Sequence, residues 1–191
     1  MNLKLITVFI CSILYAVVRY VIFGNVSLVH MPVYLLNKSI SLSSVIFLFC
    51  TALSYFKNHK YKTRYWGAAS FHSACIHILL SLTILTSGYY PKFFGPEKMN
   101  LTGEVTMLFG VLAAYSFWNA HRGNIVSKRP RIFPLLACIF VIAHLIAMGF
   151  IGWLKVEQWH GCLAPISLIS FLFALVSLGL FLKSRKGARL K

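Results

Sequence analysis

The stretch IFPLLACIFVIAHLIAMGFIGWL, residues 132–154, contains no charged side chain and carries one ionisable group, His144, near its middle. A helix needs about 20 mainly apolar residues to cross a bilayer, and this run has no polar face to turn towards water. A second stretch, WGAASFHSACIHILLSLTILTS at 66–87, repeats the arrangement with His77 at nearly the same distance from its start. Working outward from these two, four more runs have the same character: Leu3 to Phe23, Val33 to Phe56, Leu101 to Ala120 and Gly161 to Leu182. The expected architecture is an all-α integral membrane protein, a six-transmembrane-helix bundle in which residues 1–191 form a single transmembrane domain with no soluble domain.

Composition points the same way. The chain is 59% hydrophobic and only 12% charged, against roughly a quarter charged in soluble domains. A water-exposed globule could not be covered with so little polar surface, whereas helices in lipid satisfy their own backbone. The first run begins after Lys4 and could be read as a cleaved signal, but it lacks a small-x-small cleavage site and continues through Arg19, so it reads as a retained helix.

The net charge of +16, from 19 Lys+Arg against 3 Asp+Glu, is distributed in short clusters between the apolar runs. Lys57, Lys60, Lys62 and Arg64 follow the second run, Arg122, Lys128, Arg129 and Arg131 the fourth, and Lys183, Arg185, Lys186, Arg189 and Lys191 the sixth. The alternate loops hold only Lys92, Lys98 and Lys155. The positive-inside rule therefore puts both termini in the cytoplasm. No basic face with interleaved aromatics is long enough to track a phosphate backbone, so no nucleic-acid partner is expected. The loop Gly88 to Asn100, with Gly-Tyr-Tyr-Pro and Phe-Phe-Gly-Pro, is expected to lie on the outer membrane surface. Five scattered cysteines without a CxxC pair form neither a disulfide framework nor a zinc site.

His77 is eleven positions from Trp66 and His144 twelve from Ile132. On two helices running in the same direction, at 1.5 Å per residue, both imidazoles sit about 17 Å from the inner face. An ionisable group at that depth is costly unless it is paired or lines a cavity, which makes it a functional candidate. Two readings follow. The histidines could ligate one haem iron from opposite sides, the porphyrin packing against side chains such as Phe71, Leu80 and Phe140. Alternatively, each could bond to a neighbouring helix, an interaction averaging about 0.6 kcal/mol.

Other polar residues have paired readings too. Arg19 and Lys38 can snorkel to the outer interface or neutralise haem propionates. His160, beside Trp159, is either an interfacial residue or a group near the haem edge. His72, five residues from His77, points about 140° away and reads as a contact to a neighbouring helix.

The stretch Arg64-Tyr-Trp-Gly-Ala-Ala-Ser-Phe-His-Ser-Ala-Cys-Ile-His77 resembles the third helix of ferric reductase-like transmembrane domains, and Phe133 to Trp153, with Ile-Ala-His144-Leu, resembles their fifth. The resemblance extends from about 37 to 183. It covers a group that includes the membrane haem subunit of the bacterial methionine sulfoxide reductase system and the STEAP metalloreductases. Members often carry a second histidine pair about four turns earlier. Thirteen positions before His77 and His144, this chain has Arg64 and Arg131, which cannot ligate iron. The resemblance thus implies one haem b, held by His77 and His144.

The expected protein is a multi-pass b-type cytochrome of a bacterial inner (cell) membrane, serving as the membrane electron-transfer component of an oxidoreductase. Its electrons would come from a separate reductase or a quinol and pass to an outer partner protein or metal ion; the residues themselves indicate no flavin or quinone. Two rivals stand beside this reading. One is a cofactor-free small transporter or assembly factor, for which the three acids, Glu97, Glu104 and Glu157, are few. The other is a quinone-interacting anchor subunit.

Overall fold

The computed structural model describes residues 2–24, 31–126 and 132–187. Every main element among them is helical: α1 (Asn2–Val17), α2 (Met31–Phe56), α3 (Lys60–Thr83), α4 (Leu101–Val126), α5 (Ile132–Trp153) and α6 (Ile166–Gly187). Five of the six are long and apolar enough to cross a membrane, the composition of a multi-pass membrane protein. The exception is α3, whose basic first turn and polar His72, His77, Ser70, Ser73 and Ser81 make it the least hydrophobic of the set. Of these, Ser70 and Ser73 are buried, His77 and Ser81 are half-buried and His72 is exposed, so the helix that carries most of the candidate chemistry is also the least lipid-like.

Around the bundle, α2 packs on α3 and α6, α6 on α5, and α5 on α4, while α3 and α4 meet only sparsely and α1 lies outside against α2. Small residues let the backbones approach. The Ser44 and Ser70 hydroxyls each donate to the other's carbonyl, at 3.1 and 2.8 Å, which ties α2 to α3, and Gly67 sits directly over Thr51. Such small-residue seams are typical where helices pack without a hydrophobic drive between them. The outward faces are apolar stripes at helical spacing. Leu108, Val111, Tyr115 and Trp118 of α4 are exposed, as are Ile6, Ile10 and Leu14 of α1, a surface far too continuous for water and suited to lipid.

Three details differ from the sequence reading. The chain of α3 is already helical at Lys60, because the basic turn is compatible with helix and Thr63 back-bonds to the His59 carbonyl. The first run ends in a π turn, Val18–Ile22, with the Phe23 amide bonded to the Val18 carbonyl. The sixth helix begins only at Ile166, since Gly161 adopts φ +59 and passes so close to the Phe23 ring that a side chain there would collide with it.

In the loop after α3, Gly88, Pro91, Lys92 and residues 95–98 are exposed, while Tyr90 and Phe93 turn inward and are buried with Ile84 against Val33, Tyr34 and Met148. The loop closes one end of the bundle.

Candidate functional site

The π turn at the end of α1 turns Arg19 inward, where it is 5% exposed. Its Nη1 donates to the Leu163 carbonyl and its guanidinium lies over the Tyr20 ring, while Nε has no partner among the described residues. Arg19 thus ties α1 to the segment leading into α6. Snorkelling to the interface does not describe it, because the side chain is enclosed.

Lys38 lies about two turns into α2. Its Nζ stands 5.1 Å from the Tyr34 ring and 5.2 Å from the Tyr90 ring, a cation held between two aromatic faces. No ion pair forms among the described residues, and Glu97, Glu104 and Glu157 are all exposed. Lys92, from the inward-folded loop, donates to the Met148 carbonyl of α5. The sequence reading missed Lys92 because nothing in a loop of turn formers and aromatics shows which way it folds.

Beside Lys38, Asn37 is 1% exposed and organises three neighbours. Its amide nitrogen donates to the Tyr90 hydroxyl at 2.9 Å. Its amide oxygen accepts from Ser81 at 3.2 Å and lies 2.6 Å from His77 Nδ1. His77 therefore donates through Nδ1–H, and its Nε2 keeps the lone pair. On the opposite side of the bundle, His144 Nδ1 lies 2.8 Å from the carbonyl of Thr106 in α4. A carbonyl only accepts, so the His144 tautomer is the same. Gly110 makes room for this ring: a methyl group there would stand 3.3 Å from His144 Nδ1. His77 and Lys38 are linked through neighbouring residues of α2, since Asn37, which holds His77, is followed directly by Lys38.

The remaining candidates lie elsewhere. His160 is exposed in the short turn His160–Cys162. His72 donates to its own helix at the Ala68 carbonyl, 2.8 Å away, and its ring meets the edge of His121 of α4 at 5.7 Å. Phe71 stacks on His121 at 4.4 Å. Arg64 is exposed, while Arg131 and the basic residues Lys128, Arg129, Arg189 and Lys191 lie outside the described residues. Only Cys138 among the cysteines is buried in protein.

What this arrangement can do follows from the imidazoles. A metal-ligating histidine almost always donates its other ring N–H to a fixed acceptor, which sets the tautomer and orients the ring. Asn37 and Thr106 supply such acceptors, and no hydrogen bond forms on either Nε2 among the described residues. The donor set suits axial ligation of a haem iron by two neutral histidines, with Lys38 as the nearby cation. No protein-family model matches this chain, and no curated protein is similar enough to count as a relative. The fold and site by themselves define a class: a helical bundle of the multi-pass membrane type with two half-buried, hydrogen-bonded histidines in its helices.

Proposed function

We propose that this protein is a b-type membrane cytochrome with one haem, held by His77 and His144, that transfers electrons within or across a bacterial inner membrane. One observation carries the reading: both deep imidazoles spend Nδ1–H on a fixed acceptor and so keep Nε2 as a lone-pair donor. Haem supplies one-electron chemistry when bound. The residues of this chain do the rest. His77 and His144 hold and orient, Asn37 and the Thr106 carbonyl fix their tautomers, and Ser81 and Tyr90 in turn fix Asn37. Lys38 provides charge for a propionate without competition from a carboxylate. Arg19, committed to Leu163 through one nitrogen, has its remaining donors for a second such contact.

In this reading α3 crosses the membrane with the other five helices, shielded by its neighbours, and both termini are cytoplasmic because the basic loops lie on their side. The donor is a separate reductase or a quinol, and the acceptor an outer metal ion or partner protein. The second reading, a cofactor-free transporter, draws on the chain Ser81, His77, Asn37 and Tyr90, a connected polar path inside an apolar bundle.

The visible spectrum of the purified protein decides between them. A Soret band with sharp reduced α and β bands, at about one haem per chain, is expected for bis-histidine ligation. Folded protein made with ample haem and showing no such bands would leave the polar path as the functional feature.

A further inference from the structure

The opposite end of the bundle from Lys38 and Tyr90 contains a different feature. A cavity of about 170 Å³ lies between α2, α3, α4, α5 and α6, lined by residues that include Tyr55, Gly67, Phe71, Phe117, His121 and Phe181. For scale, an apolar cavity of about 150 Å³ accommodates one benzene ring. Among the described residues, no Asp, Glu, Lys or Arg lines it. The hydroxyls of Thr51, Thr63 and Ser70 at its wall already donate to the carbonyls of Phe47, His59 and Ser44. Tyr55 and His121 make no hydrogen bond among the described residues and are the groups left to meet a ligand's polar atoms. The His121 ring is held in place by stacking on Phe71 with an interplanar angle of 11°.

A second hollow shares part of the cavity's wall. Phe71 and Phe117 line both, and this hollow, of about 330 Å³, runs along the sparse α3–α4 seam past Ala74, Cys75, Ile78, Val111 and Trp118. Its wall is almost wholly apolar, and Val111 and Trp118 are exposed on the lipid-facing stripe. A room for one ring, two uncharged hydrogen-bonding groups, and an apolar groove leading to the bilayer together describe a ligand with a polar aromatic-sized head and a long hydrocarbon tail. Among the described residues the wall offers an anionic phospholipid head no cation, and a sterol's fused rings would not fit a cavity of this size.

We propose that this cavity and groove form a binding site for a membrane quinone, with the ring beside Tyr55 and His121 and the tail leaving between α3 and α4. Seven to ten residues of α3 separate Ser70 and Gly67 from His77, about 10 to 15 Å along the axis, so the site is distinct from the histidine pair. It offers a donor class for the cytochrome reading but rests on the cavity alone.

The test is equilibrium binding of decylbenzoquinone to the full-length purified chain in detergent, read by quenching of tryptophan fluorescence and by co-elution on gel filtration. Gly67→Leu fills the cavity from a position where only Thr51 lies near, and Gly179→Leu is its control, since a side chain there meets nothing. Saturable binding is expected in the wild type and in Gly179→Leu, with at least tenfold loss in Gly67→Leu and several-fold loss in His121→Leu. Decylbenzene, with the same tail and no oxygens, should compete poorly. Unsaturable partitioning, equal binding by folded Gly67→Leu, or equal competition by decylbenzene would each overturn the site. Should Gly67→Leu not fold, His121→Leu and the decylbenzene comparison still decide. The haem spectrum is read independently, so failure here and failure of the cytochrome reading are separable.

Discussion

The two ends of this bundle handle their buried polar groups in opposite ways. At the Tyr90 end the loop folds in as a plug, and Asn37, His77, Ser81 and Tyr90 satisfy one another around the cation of Lys38. At the Tyr55 end the wall hydroxyls of Thr51, Thr63 and Ser70 are satisfied by carbonyls of their own or a neighbouring segment, and a void remains. Unsatisfied polar groups are expensive away from water, and empty space costs packing. The first end meets the former cost with a network and the second tolerates the latter. On the proposed readings, the first end suits a ligand held in fixed geometry and the second a ligand that exchanges.

The severest way to break the contrast is to remove an imidazole. His77→Ala and His144→Ala should each abolish haem retention, while His59→Ala, at the turn before α3, should leave it intact. Haem per chain after purification is the measurement. Full occupancy in both deep-histidine variants would sink the ligand assignment.

Next in size is Asn37→Leu, which strips the acceptor from His77 Nδ1 and the donor from Tyr90. Loss of such an outer partner costs about 10- to 100-fold in affinity at metal sites, and an orphaned buried group costs about 1–3 kcal/mol of stability. Haem affinity and the thermal midpoint should therefore both fall. The Tyr55 end has no equivalent residue, so Thr51→Val there should change haem affinity little.

Gly110→Ala sharpens the comparison through effects of opposite sign. In a helix interior alanine is better than glycine by about 1 kcal/mol, yet the added methyl would stand 3.3 Å from His144 Nδ1 and crowd its bond to Thr106. The expected result is unchanged or higher thermal stability with a several-fold weaker haem affinity or a shifted reduced spectrum. A rise in stability with an unaltered spectrum would show that His144 is not under positional control.

Much of this was legible in the sequence, for identifiable reasons. Hydropathy runs reveal helices because a span must be apolar along its whole length, and His77 and His144 stood out because each is an ionisable group far inside such a run. Their acceptors were not legible. Asn37 stood out only as part of an unusually polar start to α2, and Thr106 acts through its carbonyl, which every residue has. The inward fold of Tyr90 and Phe93 depends on a hydrogen bond to a residue more than fifty positions away, and no local pattern encodes that pairing. The π turn that buries Arg19 has no evident signal in the surrounding residues. Nor could a void be read from the chain: Gly67, Ala120 and Pro134 line it, but small residues equally mark close packing.

The smallest predicted effect concerns Lys92, whose position depends on the plug. Desolvation, and after it the charge of Lys38, pushes the Lys92 ammonium down from the ordinary lysine range to about 8. In the unfolded chain the group keeps its ordinary, higher value. Between about pH 8 and pH 10 the unfolded state therefore binds more protons than the folded state, and stability rises with pH across that window. Below it both states are protonated and the folded molecule carries the disfavoured charge. The residue as a whole is exposed, so solvent screening keeps the effect small. Thermal midpoints of the detergent-solubilised protein should rise from about pH 7.5 to pH 9.5 more in the wild type than in Lys92→Met, which cannot titrate there. Identical pH profiles would mean that the loop does not hold Lys92 beside Lys38. The closed end would then be a looser structure than its tyrosines suggest, and its contrast with the open end would shrink to the histidine tautomers alone.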